Sequence, residues 1–151
     1  MRLPTNNTAY DGMPIAWKVL VGFGILNLVR GSIHFFAVDG GAGRIAGIDL
    51  SQQREVIVCL FAALGAGQLG RGLLDLFIGL RYRVLVHMML AVEVFTGGLA
   101  VVAVWFYKPL PVSAPGKFVA PVVLVILVLA LLASLRSPSH TAATSSGPGK
   151  E

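Results

Sequence analysis

Four stretches of this chain are apolar for long enough to cross a hydrocarbon core, and that leaves few folds open to it. A core ~30 Å thick needs about 20 residues rising ~1.5 Å each. Runs of that length extend over about 15–38, 53–80, 84–107 and 118–135. Inside lipid the backbone must satisfy its own polar groups, so each run reads as a helix. The expected fold class is all-α, an integral-membrane antiparallel four-helix transmembrane bundle. It forms one domain over 1–136. A Ser-, Thr-, Pro- and Gly-rich stretch over 137–151 reads as a disordered C-terminal tail.

Composition supports this class. Of 151 residues only 13% are charged, where a soluble domain carries about a quarter. The net charge of +5 is spread as single Lys and Arg residues at the span ends. Nothing resembles a basic patch, so the expected partner is a lipid bilayer and not nucleic acid. Lys18 before the apolar Val19–Val29 resembles the start of a signal peptide. No small-x-small cleavage site follows, and span one is expected to remain. The single cysteine, Cys59, excludes an intramolecular disulfide. It lies in an apolar run and is expected to be buried and inert.

The connections differ in kind. Arg81-Tyr82-Arg83 is too short for anything but a hairpin between spans two and three. Three prolines stiffen the link from Lys108 to Lys117. The first connection opens on Asp39-Gly40-Gly41-Ala42-Gly43, which lacks the Gly-Lys-Ser/Thr ending of a phosphate loop and reads as a turn. Ser51 reads as the N-cap of span two, and Pro121 as a first-turn residue of span four. Basic residues near the span ends divide five to four. Two arginines in the shortest turn tip the balance toward both termini in the cytoplasm, as for a bacterial inner-membrane protein.

The chemistry lies in polar rows that interrupt the spans. Gly24-x-x-Asn27-Leu28-x-Arg30-Gly31-x-Ile33-His34 aligns with Gly65-x-x-Gln68-Leu69-x-Arg71-Gly72-x-Leu74-Asp75. It would be an inverted repeat of single helices, short enough to arise by chance. Positions i, i+3 and i+7 share one helix face, so Asn27, Arg30 and His34 form one row and Gln68, Arg71 and Asp75 another. Span three adds His87 and Glu93. Unpaired charge in hydrocarbon is costly, and Arg30 and Arg71 balance Asp75 and Glu93. The expectation is one internal cluster between spans one to three, with Glu93 bridging both arginines and Arg71 also pairing with Asp75 at i, i+4. Cys59, Ala63 and Gly67, with Ala62, Ala66 and Gly70, suggest faces for close helix approach.

These rows support several functions. The cluster Asn27, Arg30, His34, Gln68, Arg71, Asp75 and Glu93 would bind a lipophilic or anionic-headed small molecule, or hold the protein in a larger membrane complex. The alternative is a compact membrane enzyme on an isoprenoid- or steroid-like substrate, with Glu93 or Asp75 as acid/base and His34 or His87 as a second proton carrier. A further alternative is the subunit of a homo-oligomeric transporter. The same rows could equally be polar glue within a tight bundle. With His140 in the tail and no paired-ligand spacing, no metal or other cofactor is expected.

Overall fold

The computed structural model of the chain describes residues 10–109 and 111–136. These residues form helices and turns, with no strand among them. Helix α1 spans Pro14–Phe36, α2 Arg54–Arg81, α3 Val86–Val102 and α4 Pro115–Ser134. A 3₁₀ turn, Arg83–Leu85, leads into α3, and a π turn, Ala103–Tyr107, ends it. The helical stretches 14–36, 54–81, 83–107 and 115–134 are each long and apolar enough to cross a membrane. The chain is therefore a small multi-pass membrane protein. The tail expected over 137–151 lies outside the described residues.

The side chains face outward as lipid demands. Only a small apolar centre is shut off, built on Ala16, Leu20, Val86, Leu90 and Leu127. Large residues such as Leu60, Leu73, Phe95, Val122 and Leu129 stand more than half exposed. In water such a surface would drive association; in hydrocarbon it is the ordinary solvent-facing side.

The most intimate contact joins α1 and α2, and glycine makes it possible. A Cβ added at Gly24 would lie 3.0 Å from the Gly72 carbonyl oxygen, and one at Gly72 2.7 Å from that of Gly24. Gly31 and Gly65 repeat the arrangement at 2.9 and 2.8 Å. Residue numbers rise along one helix as they fall along the other, so the two run in opposite senses. Each contact also has a symmetry mate. A Cβ at Gly24 would lie 2.8 Å from that of Asp75, and one at Gly65 2.9 Å from that of His34. A Cβ at Gly31 would lie 2.9 Å from the Leu69 nitrogen, and one at Gly72 3.0 Å from that of Leu28. The aligned sequence rows are thus the two halves of a local two-fold contact.

That seam is not where the small-residue pattern placed it. Gly67 and Gly70 have open space beside them, and Cys59, expected to be buried, is exposed. The backbones touch instead through glycines seven apart, Gly24 with Gly31 and Gly65 with Gly72. A seven-residue spacing keeps successive contacts on one seam of crossing helices.

Three local expectations also change. Helix α2 is preceded by Gln53 in a left-handed conformation (φ 54°) and has no side-chain cap. Ser51 is spent on Asp49, to which it donates both its N–H and its hydroxyl at 2.9 Å. Helix α4 starts at Pro115, three residues before the expected 118, so Pro121 lies inside it. Proline cannot donate to the carbonyl four residues back. The freed Lys117 oxygen accepts instead from the Trp105 indole N–H at 3.1 Å.

Candidate functional site

Three helices converge on one buried polar group. On α3 the Glu93 side chain is 4% exposed and forms an ion pair with Arg71 of α2. The Arg71 Nε donates to Glu93 Oε1, and its Nη2 donates to the Thr96 hydroxyl at 3.0 Å. Thr96 in turn donates within its own helix, to the Val92 carbonyl at 2.9 Å. The Asp75 carboxyl of α2 is wholly buried. Its Oδ2 accepts from Asn27 Nδ2 of α1 at 3.3 Å, while Oδ1 has no hydrogen-bond partner among the described residues. Arg71 stands one turn before Asp75 on the same face of α2, so its ion pair brings Glu93 to the side of the bundle where Asp75 is buried.

Asn27, Arg71, Asp75 and Glu93 are thus together, and Glu93 sits between the helices as the charge balance requires. It pairs with one arginine only. Asp75 takes Asn27 as its partner and not Arg71, whose Nε and Nη2 point to α3. The Gln68 Oε1, also on α2, is buried and has no hydrogen-bond partner among the described residues. Thr96 was missed in the sequence, although it stands one turn after Glu93, where a side chain on the same face must lie.

Arg30 departs most from expectation. It is exposed, and its guanidinium extends toward the start of α4, where a Cβ on Gly116 would lie 3.9 Å from Nη2. The reason is helical phase. At about 100° per residue, the buried stripe Leu20, Gly24, Asn27 and Gly31 centres roughly 90° away from Arg30. Arg71 sits nearer the edge of the equivalent arc on α2, which is why its side chain keeps 30% exposure.

Neither candidate histidine is a hydrogen-bond partner of Asp75 or Glu93 among the described residues. His34 hydrogen-bonds through Nδ1 with the Gly40 carbonyl at 2.7 Å and meets the Phe61 ring edge-on at 5.2 Å. It closes the end of α1 onto the following turn. His87 is exposed at the start of α3, beside a hollow of about 260 Å³ lined also by Tyr10, Asp11 and Ser134. Burial raises the Tyr10 phenol above its ordinary range there.

The glycine-rich turn after α1 fills its own concavity. Asp39 accepts the N–H of Gly41 at 3.0 Å and that of Arg44 at 2.8 Å. Those two amides are therefore committed to a carboxylate of the chain itself. The hollow of about 490 Å³ beside them is lined by Ile33, Phe36, Arg44 and Arg54 and contains none of the buried acids. Among the described residues no group of three or more His, Cys, Asp or Glu side chains could hold a metal ion. No protein-family model matches the chain, and no curated protein or solved structure matches it either.

Proposed function

We propose that this membrane protein binds the polar head of a lipophilic molecule at Arg71, in the seam between α2 and α3. One observation carries the reading. The acid of the ion pair is shut in while its arginine keeps 30% of its side chain exposed, and Nη1 has no partner among the described residues. A guanidinium at that depth in hydrocarbon needs an oxygen acceptor. Arg71 stands ten residues from the end of α2 at Arg81, about 15 Å along the axis. A phosphate confined to the membrane surface is poorly placed to serve it. A carbonyl or carboxylate on an otherwise apolar body fits. Helices α2 and α3 touch at few residues, and a ligand arriving from the bilayer would reach Arg71 between them.

The enzyme reading draws less support, because neither His34 nor His87 is a hydrogen-bond partner of Glu93 or Asp75 among the described residues. A role in a larger assembly has one observation in its favour. Arg30 is exposed in mid-span with no ion pair among the described residues, so an acidic group on a neighbouring chain would suit it. The orientation we adopt has both termini in the cytoplasm of a bacterial inner membrane, on the charge bias of the Arg81–Arg83 turn; a reporter fused after residue 151 tests it.

Mass spectrometry of lipids retained by the purified protein tests the binding reading. Wild type is expected to retain a carbonyl- or carboxylate-bearing lipophile at near-stoichiometric level, and Arg71→Gln to lose it by tenfold or more. Equal retention by a folded Arg71→Gln would overturn the assignment. Native mass spectrometry of the same samples reads the oligomeric state, and a stable dimer lost in Arg30→Gln would favour the assembly reading instead.

A further inference from the structure

The Arg71–Glu93 pair leaves a second acid inside the bundle without a counter-charge. Asp75 is wholly buried and backs onto Gly24, where even a Cβ would approach its own at 2.8 Å. It has no room to swing out toward water on that side. Oδ2 is satisfied by the neutral amide of Asn27. Oδ1 has no hydrogen-bond partner among the described residues, and one turn back on the same helix face Arg71 holds a second buried carboxyl, that of Glu93. Two ionised carboxylates only accept hydrogen bonds, so they cannot satisfy each other.

The charges around this point are few. Helix α2 brings Arg71 and α3 brings Glu93, while α1 brings Asn27, which is neutral. Lys18, Arg30 and His87 are on exposed positions of their helices, and His34 is turned to Gly40. Helix α4 carries one charged residue, Lys117, in its first turn. Two acids therefore face one base, and that base is committed to Glu93. An unmatched ion in such a place costs several kcal/mol.

We infer that Asp75 and Glu93 hold a single proton between them, forming a proton-binding site inside the bundle. The proton resides on one carboxyl and is donated to the other, which remains the acceptor for Arg71. The orphaned oxygen gains its partner, and the three side chains sum to zero charge. Releasing the proton leaves one net negative charge among α1, α2 and α3. The pair thus links proton uptake to the packing of these helices. This inference rests on different atoms from the lipophile reading, and either can fail alone.

Infrared spectroscopy of the full chain in nanodiscs, isotope-labelled on aspartate or glutamate carboxyl carbons, tests it at neutral pH. The other described acids, Asp11, Asp39, Asp49 and Glu55, sit in exposed or half-exposed positions, outside a dry environment. Wild type is expected to show the C=O stretch of one protonated carboxyl in a dry environment. That band should shift with one of the two labels and disappear in Asp75→Asn. The labelling result in wild type stands even if the variant does not fold. Absence of the band, its indifference to both labels, or its survival in folded Asp75→Asn would overturn the inference. A metal cation between the carboxylates would also leave no acid band.

Discussion

Gly24 and Gly72 meet backbone to backbone across α1 and α2, each occupying space that a Cβ on the other helix would need. Gly31 and Gly65 reproduce that contact under the exchange of the two helices. This pairing brings Asn27 to Asp75. It also presents Arg71 to α3, because Arg71 follows the contact row on the side where α3 packs.

Alanine at these positions is therefore expected to be costly. At Gly72 the added carbon would meet the Gly24 oxygen at 2.7 Å and the Leu28 nitrogen at 3.0 Å. Both are backbone atoms, which move only if a helix moves. Gly72→Ala and Gly31→Ala should each destabilise by about 1–3 kcal/mol, the usual scale of overpacking. Gly67→Ala and Gly70→Ala, with open space beside them, should stay within about 0.5 kcal/mol of wild type. Thermal unfolding in detergent reads the contrast. Equal behaviour of the two sets would contradict the seam.

The four spans were legible because length and hydropathy alone determine what can cross a bilayer. Their partners were not, since packing depends on which face each helix turns. The aligned rows pointed to a related pair of helices, yet not to a two-fold contact, and the arginines show why. Arg30 and Arg71 hold equivalent places about that local axis. Beside Arg71 stands α3, which carries Glu93; beside Arg30 stands the start of α4, and α4 has no acidic residue. Charge counting joined both arginines to one acid. Only the placement of the third and fourth helices decides which of them reaches it.

Glu93 supports a prediction of its own. Glu93→Gln leaves Arg71 with a neutral partner on its buried side. Breaking a buried pair costs about 3–5 kcal/mol. The 30% exposure of Arg71 brings the expected loss toward the lower end, since partial access screens its charge. Arg71→Met combined with Glu93→Gln should recover much of that loss, because no charge is then stranded. Unfolding of the two single variants and the double variant measures the coupling. Strict additivity would show that the two side chains do not act as a pair.

Acid sensitivity is expected in the turn after α1. The N–H groups of Arg44 and Gly41 hold the Asp39 carboxyl below its ordinary value of 3.8. A carboxyl depressed in the folded turn stabilises it fully above that ordinary value. The stabilisation fades as pH falls through the lower, folded value. Amide exchange at Gly41 and Arg44, corrected for the intrinsic pH dependence of exchange, should show steady protection above pH 4 that declines below it. In Asp39→Asn the protection should be weaker and its pH dependence lost. Unchanged protection in that variant would show that the backbone holds the turn without the carboxylate.

Pro121 and Trp105 should behave as one unit. Proline within α4 leaves the Lys117 carbonyl without its intrahelical donor, and the Trp105 indole N–H supplies a replacement at 3.1 Å. Trp105→Phe keeps the ring beside Phe118, which it meets edge-on at 5.9 Å, but removes that donor. The expected loss is about 1 kcal/mol, the net worth of one hydrogen bond. In a Pro121→Ala background residue 121 donates its own N–H to Lys117, so the same tryptophan change should cost markedly less. Unfolding of the single and double variants gives the interaction energy directly. A Trp105→Phe effect of the same size in both backgrounds would mean that the indole stabilises α4 by packing alone.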